Sequence, residues 1–107
     1  CARPQNGIAK GAWPIEIWLP GKNVALQFFD EDSHYEIPAG CLISKHLKNL
    51  YFAGRIISAD QEAIASARVI GTCLSTGFAA GTLAAFSSAG KPLTQAINNI
   101  REKQVYC

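Results

Sequence analysis

Asn49-Leu50-Tyr51-Phe52-Ala53-Gly54-Arg55, followed after a polar hinge by the uncharged run Val69 to Gly90, is the stretch whose reading decides the fold. Leu50 to Ala53 is a short apolar run stopped by Gly54-Arg55, the pattern of a buried strand. Ser58, Asp60, Gln61 and Glu62 supply the hinge. The uncharged run has no Pro and no turn cluster before Ser87-Ser88-Ala89-Gly90-Lys91-Pro92, so it predicts a helix from about Ala65 to Ser88. Gly71, Gly77 and Gly81, with Ala79, Ala80, Ala84 and Ala85, keep that helix thin. Glycine inside a helix costs about 0.5–1 kcal/mol relative to Ala. Three of them imply that another backbone or a ligand lies close.

The rest of the chain fits one small core. It has 107 residues, 49% hydrophobic and 17% charged, with a net charge of +2. That composition argues against disorder. The basic residues are scattered and do not interleave with aromatics, so nucleic-acid binding has no support. No charged segment followed by an apolar one opens the chain, so no signal peptide is expected. The chain starts at Cys1 and contains no Met, as expected of a processed or excised piece. Val69 to Gly90 is long enough to span a bilayer. Its strong partitioners are few, and no aromatic belt or basic flank brackets it clearly. A helix buried inside a soluble domain is the better reading, and no membrane partner is expected.

None of the four cysteines forms a C-x-x-C pair, which argues against zinc. A bridge between Cys1 and Cys107 is geometrically open, but nothing indicates it. Cys73 reads as a small buried hydrophobe. His34 and His46 are remote from it in sequence, which argues against a catalytic thiol.

Residues 1–12 read as loop. Ile15, Ile17 and Leu19 alternate with Glu16 and Trp18 between Pro14 and Pro20, an edge strand. Gly21-Lys22-Asn23 is a turn, and Val24 to Phe29 returns as the hairpin partner. Asp30-Glu31-Asp32-Ser33-His34 reads as a solvated acidic loop and not a metal site, for want of a closing ligand. Tyr35 to Pro38 and Cys41 to Ile43 are short extended pieces. After Gly90 and Pro92, Thr94 to Lys103 reads as an amphipathic helix on Ala96, Ile97 and Ile100. Gln104 to Cys107 reads as a frayed or packed tail. The expected class is α+β, a fragment of an α/β domain. Short strands lead to a long buried helix and a short C-terminal one, in three parts at about 12–48, 49–90 and 92–107.

Gly54-Arg55 would bring thin backbone and a guanidinium to the carboxyl edge of a sheet, where ligands bind in open α/β arrangements. The helix start near Ser66-Ala67-Arg68 would add free N–H groups and the positive dipole end. Together these suit a phosphate, a carboxylate or an electron-rich ring edge. The competing reading pairs Arg55 and Arg68 with Asp60 and Glu62 on the surface.

Several runs taken in order carry a resemblance. They are Tyr35-Glu36-Ile37-Pro38, Cys41-Leu42-Ile43, Asn49 to Arg55, Ile57-Ser58-Ala59, Glu62-Ala63, Ser66 to Val69, Thr72-Cys73 and Gly77 to Ala85. The set resembles the C-terminal part of FAD-dependent oxidoreductases with a two-dinucleotide-binding-fold FAD domain. More distantly it is similar to the fumarate reductase and L-aspartate oxidase flavoproteins. Ala12 to Ile17 looks like the family's upstream strand. The resemblance implies FAD as cofactor, with Gly54, Arg55 and Ser58 along it and Ser66, Ala67, Arg68 and Val69 presenting a helix start to the isoalloxazine ring. It implies a small-molecule substrate of unknown identity; relatives often carry a His where this chain has Gln61 and another near Trp18. The fingerprint G-x-G-x-x-G does not occur in the chain. The expected partner is therefore the remainder of the FAD domain. Alone, the chain is expected to be inactive, to bind FAD poorly, and to associate with itself through uncovered apolar surface. A non-enzymatic interaction module and a small membrane-associated protein are the alternatives.

Overall fold

The computed structural model describes residues 4–104. Cys1 and Cys107, and with them the question of a bridge, lie outside the described residues. The element order is β1 (Gly7–Gly11), β2 (Ile15–Trp18), β3 (Val24–Gln27), β4 (Tyr35–Pro38), α1 (Gln61–Ala67), α2 (Ile70–Ser88) and α3 (Leu93–Gln104). Single turns of 3-10 helix stand at Ala39–Cys41 and Gly54–Ile56. Short antiparallel strands followed by helices make this a small α+β fold, as the sequence predicts.

Two antiparallel pairs form, β1 with β4 and β2 with β3. The predicted β2–β3 hairpin is present, with Ile15 opposite Gln27 and Trp18 opposite Val24. Both its strands are edges, as the flanking prolines require. β1 departs from the expectation of loop over residues 1–12. The strand is buried on both faces, so Gly-Ile-Ala-Lys-Gly shows no alternation. Its glycines are steric necessities. A Cβ on Gly7 would lie 2.8 Å from Glu36 Cβ, and one on Gly11 would fall against the Tyr35 ring.

The predicted strand at Leu50 to Ala53 is reduced to one bridge, Tyr51 with Ile43, helped by Phe52 N–H donating to Leu42 C=O. Asn49, at φ 63°, reverses the chain ahead of it. Gly54, at φ 71°, occupies the left-handed region that glycine tolerates, and the turn it opens tucks against α2.

The single helix predicted from about Ala65 is two. Asp60 caps α1 through Ala63 N–H at 2.8 Å. The helix ends at Ala67, Arg68 closes it, and extended Val69 separates it from α2. The periodicity misses this break because the apolar run continues through it. Nor is α2 buried all round. Thr72, Thr76, Ala79, Ala80 and Leu83 face the core, while Ile70 is 80% and Leu74 71% exposed. By length and composition alone α2 could cross a membrane. Its buried face joins Ile8, Ala9, Ile37, Ala39, Leu42, Ile57, Ala96 and Ile100 in one core cluster. α3 runs as predicted on Ala96, Ile97 and Ile100, and Gln104, read as tail, is its buried last residue.

Candidate functional site

An open cleft of about 940 Å³ lies between the end of β1 and the start of α2. Lys10, Gly11, Ala12 and Trp13 form one wall, Arg68, Val69, Ile70, Gly71 and Thr72 the other, and His34 also lines it. Register explains the assembly. Gly11 pairs with Tyr35, so His34 comes beside Ala12 and Trp13. The α1–α2 break then sets Arg68 and Val69 across from them.

The back of the cleft is held by hydroxyls. Ser66 Oγ donates to the Trp13 carbonyl, and the Tyr35 hydroxyl donates to Ser66 Oγ at 2.7 Å. Burial raises the Tyr35 pKa above its ordinary 10.0, partly offset by the hydrogen bonds of Ser66 and Thr72. Lys10 N–H donates to Ser75 Oγ at 3.1 Å, tying β1 to α2. This network fixes the two walls relative to each other.

The electrostatics come from the start of α2. Val69 offers no side-chain cap. Cys73 N–H makes the first bond of the helix, to Val69 C=O at 2.9 Å. The amides of Ile70, Gly71 and Thr72 stand ahead of that bond and have no protein acceptor among the described residues. Gly71 has open space where a Cβ would stand, so an incoming atom meets no side chain there. The dipole of a 19-residue helix adds partial positive charge. Among the described residues, no carboxylate lines the cleft.

The predicted site residues divide. Arg68 and Val69 line the cleft. Ser66 and Ala67 are buried behind it, at the end of α1 and not at a helix start. Gly54, Arg55 and Ser58 lie outside the cleft lining. Gly54 N–H donates to Thr76 Oγ1 at 2.9 Å, with Cys73 Sγ close by, so this turn packs against the middle of α2. Arg55 and Ser58 are exposed. Cys73, read as buried, is half-buried beneath this turn and donates to Arg68 C=O at 3.4 Å. Neither Arg55 nor Arg68 pairs with Asp60 or Glu62; among the described residues the ion pair is Arg101 with Glu36, at 3.6 Å. Sequence reasoning missed Lys10 and His34. The signal for both was β1, since only its pairing with β4 carries them to the cleft.

An uncapped helix start facing a cleft with cationic and apolar lining has the donor chemistry that suits an anionic or electron-rich flat group. The donor chemistry fits the polar edge of a flavin ring: backbone N–H groups for its carbonyl and nitrogen acceptors, and Trp13, Val69 and Ile70 for its faces. The profile of the FAD dependent oxidoreductase family matches residues 1–105. The chain belongs to that family. No curated protein and no solved structure matches the chain.

Proposed function

We propose that this chain is the C-terminal segment of the FAD domain of an oxidoreductase, and that the cleft at the start of α2 receives the pyrimidine end of the flavin. The observation that carries the reading is the set of uncommitted amides at Ile70, Gly71 and Thr72, opening on the cleft that Arg68 and Val69 line. When bound, FAD supplies a two-electron acceptor for oxidation of a small-molecule substrate. The chain's own part is electrostatic. A helix N-terminus favours nearby negative charge by about 0.3–1 kcal/mol, and by up to about 2 kcal/mol when partly buried. Trp13 and Ile70 exclude water from the ring faces. Arg55 and Ser58, exposed beyond the cleft, are contacts for the more distant part of the cofactor. Ser66 and Ala67 act from behind, by holding Trp13 in place.

In this reading the remainder of the FAD domain is the partner. It supplies the pyrophosphate-binding G-x-G-x-x-G turn, which this sequence lacks. It also covers the exposed Ile70-Leu74-Phe78 face of α2. Without it the chain self-associates. The resemblance to the fumarate reductase and L-aspartate oxidase flavoproteins belongs to the same proposal, as does the absence of nucleic-acid and membrane partners.

FAD retention in the full-length flavoprotein tests the reading. Gly71→Val fits the open space at that position and blocks approach to the α2 amides. The flavin-to-protein absorbance ratio should fall at least tenfold with the fold intact by circular dichroism. Retention equal to wild type would overturn the assignment.

A further inference from the structure

β3 is an open edge. Among the described residues its strand neighbour is β2 alone. The far side of the hairpin is guarded. Pro14 and Pro20 flank β2, and Arg68 Nη2 reaches the Glu16 carbonyl at 3.5 Å. That contact marks the Glu16 carbonyl as turned away from β3. Glu16 stands opposite Leu26. In an antiparallel pair, opposed residues either exchange both backbone bonds or turn both groups outward. Leu26 therefore presents its N–H and C=O to the open side, as do Val24 and Phe28, two residues to either side. Edge strands are ordinarily blunted by a charge, a proline or a bulge. Asn23 to Phe29 holds no charge and no proline, and the β2–β3 register runs without a shift. Leu26 is 52% and Phe28 70% exposed, on the face that also carries Trp18, 69% exposed. The one charge on that face is Glu16, whose Oε1 accepts from Trp18 Nε1 at 3.0 Å.

The charges at the ends of this strand select its occupant. Lys22 and Asp30 each stand four residues from Leu26, one on either side, and both are exposed. Among the described residues neither makes an ion pair. Opposite signs at the two ends attract an antiparallel copy of the strand and repel a parallel one. A two-fold axis at Leu26 sets Lys22 opposite the partner's Asp30, and Asp30 opposite the partner's Lys22. We infer that the full-length protein is a two-fold dimer joined along its β3 edges, so that two hairpins become one sheet with the order β2-β3-β3-β2. Leu26 exchanges both backbone bonds with the partner's Leu26, and Val24 does so with the partner's Phe28. Val24, Leu26 and Phe28 of both copies then form one apolar strip beside Trp18, and the end charges fix the register. The inference does not rest on the flavin reading, since β3 lies outside the cleft lining.

The experiment uses the full-length flavoprotein. Light scattering at micromolar concentration should give twice the monomer mass. Leu26→Lys sets two ammonium groups together at the axis and should return the protein to a monomer, with flavin retention unchanged. Lys22→Glu should weaken the dimer about fivefold or more in sedimentation, and Lys22→Glu with Asp30→Lys should restore it to within about twofold of wild type. Under mild oxidation Leu26→Cys should give a disulfide-linked dimer, since residues paired in this way have Cα atoms about 5.5 Å apart. Val24→Cys should not, because its two copies lie about 13 Å apart in this register. A monomeric wild type would overturn the inference, as would a Leu26→Lys protein that dimerises as before. So would a charge exchange that fails to restore the dimer, or equal cross-linking at Leu26 and Val24. Flavin retention in Gly71→Val remains the separate test of the cofactor site, and neither result decides the other.

Discussion

The two ends of β1 handle backbone polarity in opposite ways. At its start, α3 satisfies nearly everything. Gln104 Nε2 donates to the Ile8 carbonyl at 2.8 Å, and Arg101 Nη1 reaches the carbonyls of Pro4, Gln5 and Gly7. Glu36 Oε2, buried without a hydrogen bond, has Arg101 at 3.6 Å. Where β1 ends, across the cleft, the amides of Ile70, Gly71 and Thr72 face space with no protein acceptor. Buried polar groups left unpaired cost about 1–3 kcal/mol each. The chain avoids that cost at the corner with two side chains from one helix. At the cleft the amides of Ile70, Gly71 and Thr72 have no protein acceptor among the described residues. The corner closes its own hydrogen bonding, and under the proposed function a ligand would complete it at the cleft.

That contrast predicts which substitutions act on folding and which on ligands. The largest folding effect should come from Leu83→Ala. Leu83 is 2% exposed on the inner face of α2, in the cluster with Ile8, Leu42 and Ile100. Truncation of a buried Leu costs about 2–5 kcal/mol. For a domain this small that is a large share of total stability. Urea unfolding followed by circular dichroism should show the midpoint falling sharply or the transition vanishing. A loss below about 1 kcal/mol would mean that α2 does not pack as described.

Next is the corner itself. Gln104→Ala removes the donor to a carbonyl in a buried strand and should cost about 1–3 kcal/mol. In the full-length flavoprotein it should leave flavin retention unchanged, because Gln104 lies outside the cleft lining. Equal damage to stability and to ligand binding would show that corner and cleft are one unit, and the contrast between them would fail.

The same contrast explains what could be read from the sequence. The β2–β3 hairpin was legible because it is half-exposed, so Ile15 and Ile17 alternate with Glu16 and Trp18. α3 was legible because its polar face gives Ala96, Ile97 and Ile100 a period. β1 was not, because burial on both faces removes alternation and Ile8 is its one large side chain. The cleft was half legible for that reason. Arg68 and Val69 stand in a recognisable run, while Lys10 and His34 reach them only through β1–β4 pairing. The break at Arg68-Val69 was hidden because extended Val69 is as apolar as a helical residue. Gly54 was read as thin backbone for a ligand. Its structural requirement is the positive φ of the turn whose N–H bonds Thr76; a Cβ there would meet only Cys73 Sγ, at 3.7 Å.

A smaller effect should appear at alkaline pH, from Tyr35 behind the cleft and from Cys41 in the turn after β4. Burial raises the Tyr35 pKa above 10.0 and the Cys41 thiol above 9.0. Each group keeps its proton in the folded state at a pH where the unfolded chain loses it. Their contribution is fully present below the unfolded values and is lost as pH rises through the folded ones. Stability should therefore decline above about pH 9 for the thiol and about pH 10 for the phenol. Tyr35→Phe should lower stability at pH 7 by about 1 kcal/mol, for the lost bond to Ser66. The same variant should flatten the decline above about pH 10. An unchanged alkaline decline in Tyr35→Phe, Cys41→Ala would place its cause elsewhere.

The smallest effect should come from Leu74→Ser, on the same helix as Leu83 but its opposite face. Leu74 is 71% exposed, so in the isolated chain little apolar area is lost from water on folding there. The stability change should be within about 0.5 kcal/mol. The substitution still matters for what α2 presents outward. Ile70, Leu74 and Phe78 recur at a spacing of four, one side of a helix, with Gly71 and Gly77 open beside them. If this face is where the rest of the FAD domain packs, and where isolated chains meet each other, a serine at its centre should lower the light-scattering mass at micromolar concentration. It should do so without moving the urea midpoint. A monomeric wild type, or a Leu74→Ser protein that associates as before, would mean that the face is not the contact. A clear loss of stability would mean that Leu74 is buried within the chain, and that the outer face of α2 is not the open one.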